Sequence, residues 1–134
     1  MIAIDTNILV YAFDVAYPEK REIAKKIVTD IFSGKKEGVL TNQILAEFSA
    51  VVTKKVERPL SKEETQSIIG AILSSQNWKV FNYTGETVLR ALKQNKPFWD
   101  ALIVETLKEH NISKIITENV KHFEQSGVSV MNPF

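Results

Sequence analysis

Short apolar stretches of strand length alternate with amphipathic stretches of helix length along nearly the whole chain, and this alternation constrains the fold more than any other feature. Ile2 to Ile4 reads as a short buried strand. Beyond Pro18, Glu19 to Phe32 carries Ile23, Ala24, Ile27, Val28 and Ile31 at helical spacing, and Ser33-Gly34 ends that helix. Gly38 to Thr41 predicts a second strand, followed by a helix in which Ile44, Leu45, Phe48, Val51 and Val52 form one stripe, with Pro59 closing the section. Ser61 with Glu64 three residues later is a capping box, so Lys62 to Ser75 reads as a helix leading into a strand at Lys79 to Phe81. Thr84 to Leu92 and Pro97 to Glu109 predict two more helices, and Lys114 to Thr117 and Ser129 to Met131 the last two strands. The expected architecture is α/β: a three-layer α/β/α sandwich around a central, mainly parallel sheet.

Composition narrows the functional classes. With 134 residues, 44% of them apolar, and no repeat, low-complexity tract or linker, one continuous core and one domain over residues 1–134 are expected. The absence of cysteine excludes disulfide scaffolds, thiolate metal sites and cysteine nucleophiles, and suits a reducing compartment. Asp5 interrupts the amino terminus where a signal peptide needs a long apolar run, and no segment approaches a membrane span. A cytoplasmic protein without membrane association is expected. The formal net charge of +1 points neither to nor away from a polyanionic partner.

In a parallel sheet ligands bind at the carboxyl ends of the strands, so the carboxylates are judged against that rim. Asp5 follows the first strand directly, where it reads equally as a cap made with Thr6 and Asn7 or as a site residue. Glu47 lies one turn after Gln43 at the boundary of a buried stripe. Asp100 falls in the first turn of the helix after Pro97, where the dipole favours an anion, yet Ile103, Val104 and Leu107 follow on its apolar side. Each residue alone is explained by capping or solvation.

Together they carry a resemblance. Asp5-Thr6-Asn7-Ile8-Leu9, Glu47 within Ile44-Leu45-Ala46-Glu47-Phe48, Trp99-Asp100-Ala101-Leu102-Ile103, and the Thr117 to Phe123 segment resemble, in order and separation, the PIN-domain nucleases, and among them the VapC-like toxins of toxin-antitoxin pairs. The resemblance spans essentially the whole chain. It implies an endoribonuclease with Asp5, Glu47 and Asp100 as catalytic metal ligands. The family's fourth acidic position corresponds here to Asn119, with Glu118 beside it as a substitute, so the chain departs from the pattern at that point. The resemblance further implies an RNA substrate, a neutralising antitoxin protein and a homodimer.

A metal also has a physical rationale. Two carboxylates about 4 Å apart repel by roughly 4 kcal/mol at an effective dielectric of about 20, so such a cluster needs a counter-charge. All-oxygen ligation suits Mg²⁺ or Mn²⁺ and hence phosphodiester chemistry. Thr6 and Thr117, beside the acids, are auxiliary candidates for orienting ligands or water. Lys20, Arg21, Lys25, Lys26, Lys35, Lys36, Lys54, Lys55 and Arg58 are candidate phosphate contacts, each explained singly by solvation. Trp99 and Phe98, just before Asp100, are candidates for stacking on a base, but Trp99 shares a face with Leu102, Ile103, Thr106 and Leu107 and is expected in the core, as are Tyr11 and Phe13; His110 and His122 are candidate acid or base groups, the latter in a surface turn, and receive no catalytic role. A non-catalytic module binding nucleic acid or a partner, with the acids as caps, stands as the alternative. A phosphate-accepting signalling domain fits less well, because it pairs adjacent acids after the first strand and Asp5 is followed by Thr6 and Asn7.

Overall fold

Short strands of mostly apolar residues gain most when both faces are covered, and the three central strands of this chain are used in that way. A computed structural model describes residues 1–134. Its single sheet is built from β1 (Ile2–Ile4), β2 (Gly38–Thr41), β3 (Trp78–Phe81), β4 (Lys114–Ile116) and β5 (Ser129–Met131). All four pairings are parallel, in the order β3-β2-β1-β4-β5. Every residue of β2 is buried, so neither of its faces meets water. Seven helices surround the sheet: α1 (Thr6–Tyr11), α2 (Pro18–Phe32), α3 (Asn42–Val52), α4 (Lys62–Ser74), α5 (Gly85–Leu92), α6 (Phe98–Glu109) and α7 (Val120–Phe123). The three-layer expectation and nearly all of the predicted elements are present, with ends shifted by a residue or so.

Two helices have no counterpart in the sequence reading. α1 spans only six residues, three of them β-branched, too short and too poor in propensity to announce itself. Burial of Ile8 and Leu9 holds it in place. α7, four residues long, occupies what reads as a surface turn and is anchored by buried Phe123. At Gly38 the chain has no room for a side chain, since a Cβ there would stand 2.7 Å from the Trp78 ring and 2.8 Å from Ile31.

The strand order fixes where a site can form. From β1 the chain winds outward through β2 and β3, then returns through α5 and α6 to lay β4 on the opposite side of β1. The two directions of winding part between β1 and β4, and connections leaving a switch point diverge and open a crevice. No helix is long and apolar enough to cross a membrane.

Candidate active site

Asp5 leaves β1 and Thr117 leaves β4, so the switch point brings residues 112 positions apart into contact: Thr117 Oγ1 donates to Asp5 Oδ2 at 2.7 Å. The same hydroxyl accepts from Asn7 Nδ2 at 3.2 Å and from the Asn119 backbone N–H at 3.0 Å. One donor and two acceptor positions exhaust a hydroxyl, so the direction of every bond here is set. Asn7 completes a clamp, its Nδ2 3.3 Å from Asp5 Oδ2 and its Oδ1 accepting from the Glu118 N–H at 3.2 Å. Asp5 Oδ1 accepts from the Thr6 N–H at 2.8 Å, which makes Asp5 the N-cap of α1. Cap and site residue are one side chain.

Glu47 comes from α3, whose start is set by Thr41 Oγ1 accepting from the Ile44 N–H at 3.2 Å. Gln43, one turn earlier, donates Nε2 to Glu47 Oε1 at 2.6 Å and to the Trp99 carbonyl at 3.1 Å. Two acceptors demand the amide nitrogen, so the Gln43 orientation is fixed, and its buried Oε1 is left with no partner. Thr6 Oγ1 donates to Glu47 Oε2 at 3.1 Å, linking Glu47 to the residue that caps onto Asp5. Asp100 sits in the first turn of α6, with His122 Nδ1 3.4 Å from its Oδ2. Asn119 precedes α7, and its side chain makes no cap bond there.

These side chains line one cavity of about 440 Å³, to which Asp5, Glu47, Asp100 and Asn119 all contribute. Burial pushes the Asp5 carboxyl above its ordinary range; hydrogen bonds from Thr117 and Thr6 oppose the shift, and the charges of Glu47 and Asp100 add to it. The donor set consists of hard oxygens with capacity in reserve, since Asp5 Oδ1 and both Glu47 oxygens accept one hydrogen bond each and retain a second lone pair. No three acidic or histidine side chains stand together closely enough to hold a metal ion by themselves. The oxygen donors themselves suit Mg²⁺ or Mn²⁺, ions that keep several of their waters.

Several expectations change. Glu118 does not reach the cavity: its Oε2 accepts from Tyr11 Oη at 2.6 Å and its Oε1 pairs with Lys20, turning it outward. It supplies only its backbone N–H to the site, through Asn7. Trp99 is not in the core but 62% exposed, although Ile103, one turn on, is 3% exposed. Tyr11 lines the cavity and anchors Glu118, and so does more than pack. His122 lines the cavity as well, placed there by α7. His110, by contrast, stacks on Phe81 at 4.1 Å and bonds the Thr106 carbonyl at 2.9 Å, away from the acids. Sequence reasoning also missed the parts played by Asn7, Gln43 and buried Asp14, which lines the cavity and accepts from the Ala16 N–H at 3.0 Å. For Gln43 a signal existed in its i, i+4 spacing from Glu47.

Comparison with known proteins adds a lineage. The PIN-domain family model matches residues 2–126. The chain is 25% identical over 137 residues to a protein named Ribonuclease VapC24 from Mycobacterium tuberculosis, covering 96% of this chain and 93% of the relative. Among solved structures, a toxin-antitoxin complex from Klebsiella pneumoniae superposes with a TM-score of 0.66 at 19% identity, covering 100% of this chain and 98% of that one. VapC20 of Mycobacterium tuberculosis, described as a sarcin-ricin loop cleaving toxin, superposes with a TM-score of 0.61 at 15% identity, covering 86% and 87%. At these identities the superpositions establish the fold alone.

Proposed function

The chain belongs to the PIN-domain family, and on that basis we propose that it is a metal-dependent endoribonuclease acting as the toxin of a toxin-antitoxin pair. Three carboxylates carried by three different elements, Asp5, Glu47 and Asp100, line one cavity at the switch point, and this observation carries the reading. The ribonuclease name of the VapC24 relative supports it. In this reading Asp5, Glu47 and Asp100 hold the ion, with Asn119 contributing a neutral carbonyl oxygen in place of a fourth charge. Mg²⁺ or Mn²⁺ supplies Lewis acidity that makes water a better nucleophile toward phosphorus and offsets charge on the phosphate oxygens.

The protein's own groups position the acids. Thr117 and Asn7 fix Asp5 Oδ2, and Thr6 and Gln43 fix the two oxygens of Glu47, so neither carboxylate rotates when substrate arrives. His122, half exposed beside Asp100, lines the same cavity and is the imidazole available there for proton transfer. The working protein acts in the cytoplasm as a single domain over residues 1–134, forms a homodimer, and is silenced by a cognate antitoxin protein that inserts near the acids.

The test is cleavage of a labelled structured RNA with Mg²⁺, with Mn²⁺ and with EDTA. Metal-dependent fragments are expected; breakdown insensitive to EDTA, or none with any RNA, would overturn the proposal. The neutral Asn119 favours one competing reading, a catalytically silent module that binds RNA or a partner. Tight binding without cleavage in the same assay would select it.

A further inference from the structure

The chain has two tryptophans with opposite environments: Trp78 is 4% exposed in the core, and Trp99 is 62% exposed and lines the acid cavity one residue before Asp100. So large an apolar surface in water is unfavourable, and tryptophan is enriched among the residues that carry binding energy at recognition surfaces. The indole is held rather than loose. Gln43 Nε2 bonds its backbone carbonyl at 3.1 Å, and Phe98 meets the ring edge to face at 5.2 Å. Of the other exposed rings at the cavity, Tyr17 is engaged by Tyr11 at 5.4 Å and by the Lys20 ammonium at 5.9 Å, and His122 faces Asp100. Lys55 lines the same cavity and offers a cation to a phosphate next in line.

We propose that Trp99 is the stacking platform for one unpaired nucleobase adjoining the scissile phosphate, an inference that rests on the ribonuclease reading. Every base has a π-face, so the platform is indifferent to base identity; it requires only that the base be unstacked from its neighbours. Trp99 thus selects loops and single strands over duplex, and leaves sequence preference to other contacts.

Intrinsic fluorescence of the full chain, titrated with a 2′-O-methyl single strand that resists cleavage, reports on Trp99 while buried Trp78 serves as a constant background. Saturable quenching is expected. Trp99→Leu should weaken binding of this strand roughly 5- to 150-fold, the range for one lost base stack, and should abolish the quenching, while Trp99→Phe should retain most of the affinity. A strand abasic at the stacked position should lose as much against the natural chain and nothing further against Trp99→Leu. Unchanged binding and cleavage by Trp99→Leu would overturn the platform and leave the nuclease reading intact. Unchanged RNA binding together with lost self-association on sedimentation would also overturn it, assigning Trp99 to a protein interface. A natural chain that neither binds nor cleaves RNA would overturn both readings.

Discussion

Asp5 carries opposing demands in one side chain. Burial and the charges of Glu47 and Asp100 resist its ionisation, and the hydrogen bonds from Thr117 and Thr6 favour the charge. A carboxyl whose folded pKa is raised binds its proton more tightly in the native state than in the unfolded one. Its contribution to stability is therefore greatest at low pH and declines as pH rises from the ordinary carboxylate value through the raised one. Asp5→Asn removes that decline. In EDTA at neutral pH its Tm, followed by circular dichroism, should equal or exceed that of the natural chain, whereas Mg²⁺ should raise the Tm of the natural chain alone and RNA cleavage should fall to background. A matched loss of Tm in the variant would mean that the side chain is structural. Gln43 makes the complementary case, because its amide joins Glu47 to the Trp99 carbonyl and so couples α3 to the start of α6. Gln43→Leu leaves two partly buried acceptors without this donor, at a cost of about 1 kcal/mol, and should weaken Mn²⁺ binding, followed calorimetrically, by about 10- to 100-fold.

At the level of elements, the segment between β4 and α7 is tied to α1 and α2 by one latch. Glu118 is pushed up by burial, but the hydrogen bonds from Lys20 and Tyr11 outweigh that, and its carboxyl titrates below the usual range. Lys20 lies 4.9 Å from the centre of the Tyr11 ring and 5.4 Å from that of Phe134, so the latch also gathers the end of the chain. A lowered acid pKa contributes stability that is full above the ordinary value of 4.5 and is lost as pH falls through the lowered one. Glu118→Gln should therefore lower Tm at neutral pH, lose that difference in acid, and still cleave RNA; complete loss of cleavage with the fold intact would return Glu118 to the acid set. These elements also show what the sequence makes legible. Helices α3 and α6 are long enough for periodicity and capping to announce them, and through them Glu47 and Asp100. Helices α1 and α7 exist only because tertiary burial holds them, so the placements of Tyr11 and His122 that depend on them were not readable. The outward turn of Glu118 follows from the same cause, since its partner Tyr11 stands at the end of α1.

For the whole molecule, alternation along the chain implies a parallel sheet but not its order, and the order β3-β2-β1-β4-β5 is what makes Asp5 and Thr117 neighbours. Charge has the same property: it is a total in the sequence and a map in the structure. Discounting Asp5, Glu47 and Asp100 from the 16 acidic residues leaves 13 against 17 basic ones, a moderate excess whose position decides where RNA lies. Four of these bases are paired with three of these acids: Asp30 takes Lys26 at 2.9 Å and Lys35 at 3.7 Å, Glu118 takes Lys20, and Glu109 takes Arg90. Lys55 lines the acid cavity beside Lys54 in sequence, and neither takes part in an ion pair. Lys55 is the one lysine or arginine lining that cavity, so the backbone of a bound strand should cross the molecule at the end of α3. Each phosphate neutralised on a single strand contributes about 0.7 to the slope of log K against log salt. In fluorescence anisotropy with the uncleavable strand, Lys55→Ala should reduce that slope by about 0.7 and weaken binding alike for all sequences, and Lys35→Ala should change neither. The reverse outcome, a reduced slope in Lys35→Ala with Lys55→Ala unchanged, would move the RNA to the far side of α2 and out of reach of the acids.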